Sequence, residues 1–162
     1  MSQGRRRFLV LVVVAATVVF DQLSKIMATR LLAGAPPRAY VSSLFVLEYA
    51  ENPGAILSLG GALSPQARFW IFTVVVAALL TFMLVAALGS FRLTVGEIVG
   101  LALIAGGGFS NLGDRLFNHG LVIDFMNMGM GRLRTGVFNL ADLAIVAGAI
   151  VLLIAGLRFR RA

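Results

Sequence analysis

From Phe69 to Gly89 the chain runs 21 residues without one charged side chain. A helix needs about 20 predominantly apolar residues to cross the hydrocarbon core of a bilayer. Three further stretches share that character: about 8–32, 93–111 and 136–157. Apolar residues make up 59% of the 162, charged residues only 13%, and the mean hydropathy is +0.95. A water-soluble domain of this size could not hide so much apolar surface, so the bilayer has to solvate it. The expectation is one all-α membrane domain, a four-transmembrane-helix bundle, with loops at about 33–68 and 112–135.

The net charge of +7 does not point to nucleic acid. Arg5, Arg6 and Arg7 open the chain and Arg158, Arg160 and Arg161 close it, with no basic stripe interleaved with aromatics. Such clusters beside apolar spans are positive-inside signals and also suit phospholipid headgroups. Four spans put both termini on one side, which these arginines and the short 90–92 loop place in the cytoplasm. Arg5-Arg6-Arg7-Phe8-Leu9 also resembles a twin-arginine signal, with Ala33-Gly34-Ala35 as a cleavage site. Asp21 and Lys25 inside that segment, and three spans after it, favour a retained helix. The run Tyr40–Tyr49 is β-prone and predicts a short hairpin or small sheet at the membrane surface.

The seven acids are the informative residues. An aspartate at a helix centre costs about 2.5–3.5 kcal/mol on insertion scales, so it faces a bundle interior or a water-filled cavity. Asp142 falls one and a half to two turns inside the fourth span, with Asn139 three positions earlier on the same face. Asp124 sits in an apolar frame, Leu121-Val122-Ile123-Asp124-Phe125. These two carboxylates come from separate segments at similar depth. If they approach, repulsion makes one hold a proton while the other ionises, giving an acid and a base for peptide hydrolysis. With no cysteine and His119 the only histidine, zinc and Ser/His mechanisms are poorly supplied. No metal and no cofactor is called for.

Other polar residues carry blander readings. Asp21 and Lys25, spaced i,i+4, read as a structural ion pair. Asp114 reads as a cap on the end of the third span, and Arg115 as a contact for substrate backbone or headgroup. Glu97 reads as snorkelling, Arg132 and Arg134 as interfacial anchors, His119 as a loop residue. Gly106, Gly107 and Gly108 read as a close helix contact. Read from residues alone, an ion relay, a small proton-coupled transporter or a non-catalytic scaffold stays open beside a catalytic pair.

Five motifs bring in a resemblance: DQLSK at 21–25, ENPGAI at 51–56, SNLGDR at 110–115, VIDF at 122–125 and FNLAD at 138–142. Together they resemble the lipoprotein signal peptidase family (signal peptidase II), bacterial membrane aspartyl proteases, over essentially the whole length. The resemblance implies a catalytic dyad of Asp124 and Asp142. It implies substrate-binding or supporting roles for Asn52, Gly54, Asn111, Arg115 and Asn139, and structural roles for Asp21, Lys25 and Asp114. It implies a four-helix bundle with a small extracytoplasmic β-element in the bacterial inner membrane. The implied substrate is a diacylglyceryl-modified prolipoprotein, cut before the lipidated cysteine at the extracytoplasmic face. The implied inhibitor class is the cyclic depsipeptide globomycin, and nothing demands more than a monomer. Two positions depart from the family pattern: Pro53 after Asn52, with Ile56-Leu57 closing that motif, and Ser110 where glycine is common.

Overall fold

The structure, a computed structural model, describes residues 1–55, 59–89 and 93–159. The 90–92 loop, Ile56, Leu57, Arg160 and Arg161, on which part of the topology and motif reading rests, lie outside the described residues, as does the Arg158 side chain. Four helices are long and apolar enough to cross a membrane: α1 (Gln3–Leu32), α2 (Pro65–Gly89), α3 (Val95–Phe117) and α4 (Leu140–Phe159). The third is the central one. Of its most apolar stretch 56% lies inside the bundle, against 11–17% for the other three, so α3 is the helix on which the rest pack.

Glycine makes that packing close. A Cβ on Gly106 would sit 2.8 Å from Thr17 Cβ on α1, one on Gly107 would overlap the Ala141 carbonyl of α4, and one on Gly108 would overlap Leu80 of α2. The sequence reading expected a close helix contact at these glycines; the three admit three different helices. At the far end, Val10, Ala87, Ile98 and Ala102 form a small apolar core. The bundle's outer faces carry Phe8, Leu11, Phe20, Phe82 and Leu153, all exposed and suited to lipid. Thr94 and Glu97 close a capping box at the start of α3, the Thr94 N–H donating to Glu97 Oε2 at 2.7 Å. Glu97 is thus a helix-start residue rather than a free snorkelling one.

The two loops build one antiparallel sheet rather than separate structures: β1 (Arg38–Tyr40), β2 (Phe45–Asn52), β3 (Val122–Met130) and β4 (Leu133–Phe138), in that spatial order. β2 pairs with β3 in two runs, Leu47 opposite Met126 and Ala50 opposite Asp124, with a bulge between them. Bulges re-aim side chains, and this one lies beside Asp124. Phe125 and Met126 pack on Ala28 and Leu32 at the end of α1, docking the sheet on the bundle. Arg134 is engaged within the sheet. It donates to Asn127 Oδ1 at 2.9 Å and to the Ser43 carbonyl at 3.1 Å, tying β4 to β3 and to the β1–β2 turn.

Two span ends differ from the sequence expectation. α3 continues to Phe117, so Asp114 and Arg115 stand in its last turns rather than after it. α4 begins only at Leu140, because residues 136–138 belong to β4. Asp142 is therefore in the first turn of its helix, not up to two turns inside.

Candidate active site

Asp142 is held by a reciprocal cap. Its N–H donates to Asn139 Oδ1 at 2.9 Å, and its Oδ2 accepts the Asn139 N–H at 3.2 Å. Asn139 is the N-cap and Asp142 the third helical residue, an arrangement that satisfies orphan amides and places a carboxylate at the positive end of the helix. The expected shared helix face is replaced by this cap. It leaves the Asn139 amide nitrogen free to reach Asp124 Oδ1 at 2.7 Å. One asparagine thus joins both carboxylates, fixing their separation.

Each carboxylate has a further amide donor. Asn52 Nδ2 donates to Asp124 Oδ2 at 2.9 Å, and Asn111 Nδ2 donates to Asp142 Oδ1 at 2.9 Å. Asn52 Oδ1 accepts the Gly54 N–H at 2.9 Å, closing a tight Asx turn, and Arg115 donates to the Gly54 carbonyl at 2.7 Å. That loop stands over the carboxylates because Arg115 reaches it from α3. Pro53 has no N–H to lose here, since the turn uses its neighbours.

Behind the pair lies a buried ionic cluster. Lys25 is 1% exposed and spends its three protons on Asp21 Oδ2 at 2.7 Å, Asp114 Oδ2 at 2.8 Å and Asn111 Oδ1 at 2.8 Å. The last contact decides which way Asn111 faces: with its oxygen on Lys25, its NH2 must point at Asp142. Asp21 also receives the Ser110 hydroxyl at 2.7 Å and the Ala141 N–H at 2.8 Å. Asp114 receives the Gln22 amide at 2.8 Å and the Ile123 N–H at 3.0 Å, so it anchors the start of β3 rather than capping α3.

Both aspartates face a cavity of about 550 Å3 whose wall is mostly apolar, including Phe72, Val76, Phe138 and Val146. Burial pushes Asp124 up to about 6; its hydrogen bonds with Asn52 and Asn139 pull the other way, and the neighbouring Asp142 charge adds to the rise. At 1% exposure Asp124 is close to fully withdrawn from water. Among the described residues no three His, Cys, Asp or Glu side chains gather in a metal-holding group.

The profile of the Peptidase_A8 family, signal peptidase (SPase) II, matches residues 13–158. The chain belongs to the signal peptidase II family.

Relatives with the name lipoprotein signal peptidase include one from Burkholderia cenocepacia, 39% identical over 87% of this chain and 82% of that protein. One from Pelotomaculum thermopropionicum is 35% identical over 87% of this chain and 86% of its own. One from Mycolicibacterium smegmatis is 32% identical over 93% of this chain, which spans 62% of that relative's length. A solved bacterial membrane enzyme shares the fold with a TM-score of 0.76 at 24% identity, over 92% of this chain and 87% of that one. Signal peptidase II membership and the four apolar helices make this a multi-pass membrane peptidase.

All ten site residues singled out in the sequence fall in one connected hydrogen-bond and ion-pair network around this cavity. Sequence reasoning missed Gln22, which bridges Ser110 and Asp114, and Asn127, which receives Arg134 and donates to Glu48 Oε1 at 2.7 Å. Gln22 stood in a span beside Asp21, and a polar residue at that depth was its signal.

Proposed function

We propose that this chain is an aspartic endopeptidase that removes the signal peptide from diacylglyceryl-modified prolipoproteins by cutting before the lipidated cysteine. The observation that carries the reading is Asn139, which donates to Asp124 and caps Asp142, holding two carboxylates on one cavity. We assign the pair's proton to Asp124, which burial pushes up to about 6, and the role of base to Asp142 at the start of its helix. Asp142 takes a proton from water as its oxygen attacks the scissile carbonyl carbon. Asp124 gives its proton to the carbonyl oxygen. The tetrahedral species then collapses: the C–N bond breaks, Asp142 returns its proton to the leaving nitrogen, and Asp124 recovers its own.

The remaining residues position the substrate. Asn52, Asn111 and Arg115 line the cavity and are assigned to holding the substrate main chain there, and the apolar wall takes the signal peptide. The acyl chains stay in lipid and deliver the bond to the membrane surface. The arginines of both termini put those ends in the cytoplasm and the sheet and cavity at the extracytoplasmic face of a bacterial inner membrane. A globomycin-type cyclic peptide fits as an occupant of the same cavity, and the site is complete within one chain. A transport path is disfavoured, because residues 69–89 offer no charged group and the buried acids gather towards the sheet-bearing end.

The test is cleavage of purified diacylglyceryl-modified prolipoprotein in detergent with chelator present. Wild type cuts, and folded Asp124→Asn and Asp142→Asn each lose about 10²–10⁴-fold. Near-normal activity in either variant, or none in the wild type, would sink the dyad.

A further inference from the structure

A second cavity, of about 280 Å3, opens where α2 begins and shares Arg115 and Phe72 with the cavity of the aspartates. Its charged lining among the described residues is Arg68 and Arg115, with His119 beside them. Pro65, Phe69 and Phe72 supply much of the rest. Some of the donors there are not spent. The Arg68 guanidinium has no ion pair or hydrogen bond among the described residues, although its backbone N–H is bonded to the Ser64 carbonyl at 3.0 Å. Arg115 Nε is buried without a hydrogen-bond partner among them, while another of its nitrogens holds the Gly54 carbonyl and its guanidinium lies 5.6 Å over the Phe72 ring. The carboxylates of Asp142, Asp124 and Asp114 act on Arg115 from the catalytic cavity, whereas Arg68 has no counter-charge among the described residues, so an anion in this void answers the Arg68 charge and the empty Arg115 Nε together.

We propose that this cavity binds the phosphate of an anionic phospholipid headgroup. A phosphate presents several acceptor oxygens and suits guanidinium forks, so it can engage Arg68, Arg115 and His119 together. The location supplies the lipid. The cavity lies at the end of a membrane-spanning helix, next to Trp70, which is 61% exposed. Exposed tryptophan at a span end marks the headgroup level. The rings of Phe69 and Phe72 give the glycerol and first acyl carbons an apolar seat. This site stands apart from the peptidase reading and does not depend on it.

Trp70 is the only tryptophan, so it reports on this corner alone. The full chain in non-ionic detergent is titrated with phosphatidylglycerol carrying brominated chains, and bound lipid is counted by native mass spectrometry. The expected result is saturable quenching with one retained lipid, and an affinity about tenfold or more weaker in Arg68→Gln and in Arg68→Gln/His119→Asn. Arg68→Lys recovers part of it. Arg68 has no partner within the described protein and lies outside the cleavage machinery, so these variants keep wild-type melting and prolipoprotein cleavage. Glycerol phosphate and inorganic phosphate are run as competitors. Weak competition assigns the site to lipid-borne phosphate, and equal affinity assigns it to a soluble phosphate. Equal lipid affinity in wild type and both variants, or equal quenching by brominated diacylglycerol, overturns the proposal.

Discussion

The Asp21 carboxylate on α1 accepts the backbone N–H of Ala141 at 2.8 Å, so an acid from the first span stands at the N-terminus of the last. Helix starts carry unsatisfied N–H groups and a partial positive charge, and Asp21 answers both from outside the helix. Asp142 is the next residue, so its position depends on this contact. Asp21→Ala should lower stability by roughly 3 kcal/mol, because it also takes one partner from the buried Lys25. Its kcat for prolipoprotein should fall while KM stays near the wild-type value. Melting in detergent and steady-state cleavage check the two effects; an unchanged kcat in the folded variant would confine Asp21 to stability.

The pH dependence follows from Asp124. Its ordinary value is 3.8 and burial pushes it to about 6, so between those pH values the folded protein binds more protons than the unfolded chain. Stability contributed by that proton is full below the lower value and is lost as pH rises through the upper one. Melting curves from pH 4 to 8 should show this downward slope in the wild type and a flatter one in Asp124→Asn. The proposed acid role adds that kcat/KM declines above about pH 6, where the free enzyme loses the same proton.

Glycine contacts give a paired prediction on α3. Gly107→Ala sets a Cβ against the Ala141 carbonyl, and backbone cannot step aside cheaply, so α4 is pushed away and both stability and cleavage drop. Gly113→Ala meets nothing within 4 Å and gains helix propensity, up to about 1 kcal/mol. Opposite shifts in melting temperature are expected; parallel shifts would mean that the close approach of α3 and α4 is not what Gly107 provides.

The Ser110 hydroxyl donates to Asp21 and accepts from Gln22 at 3.0 Å. Ser110→Ala should cost about 1–3 kcal/mol, since a buried carboxylate loses a donor. Cleavage by the folded variant should stay within a few-fold of wild type, measured on the same prolipoprotein substrate.

The spans were legible because hydropathy over 20 residues is a strong signal, and the acids were legible because a membrane makes them expensive. Helix ends were not. Val137 and Phe138 are apolar, so hydropathy reads them into the last span, although they complete β4 and leave Asn139 to begin the helix. Asp114 and Arg115 looked like a stop signal, yet they remain helical because Lys25 and the Gly54 carbonyl satisfy them from outside. The single sheet was hidden for another reason: Ala50 and Asp124 are neighbours across strands but remote in sequence, and no local pattern announces such a pairing.

That pairing has a consequence for how the protein comes into being. Asn52 is made early and lies on β2, whereas Asp124 and its bridge Asn139 are made late, and the contact between them closes a loop of 72 residues. Contacts of such range form slowly. During synthesis the first two spans can enter the bilayer long before any carboxylate pair exists, and Asp142 gains its cap only as the last span settles. With the proposed Asp124–Asp142 dyad, a newly made chain stays catalytically silent until its last span has settled, which spares the insertion machinery a half-built protease.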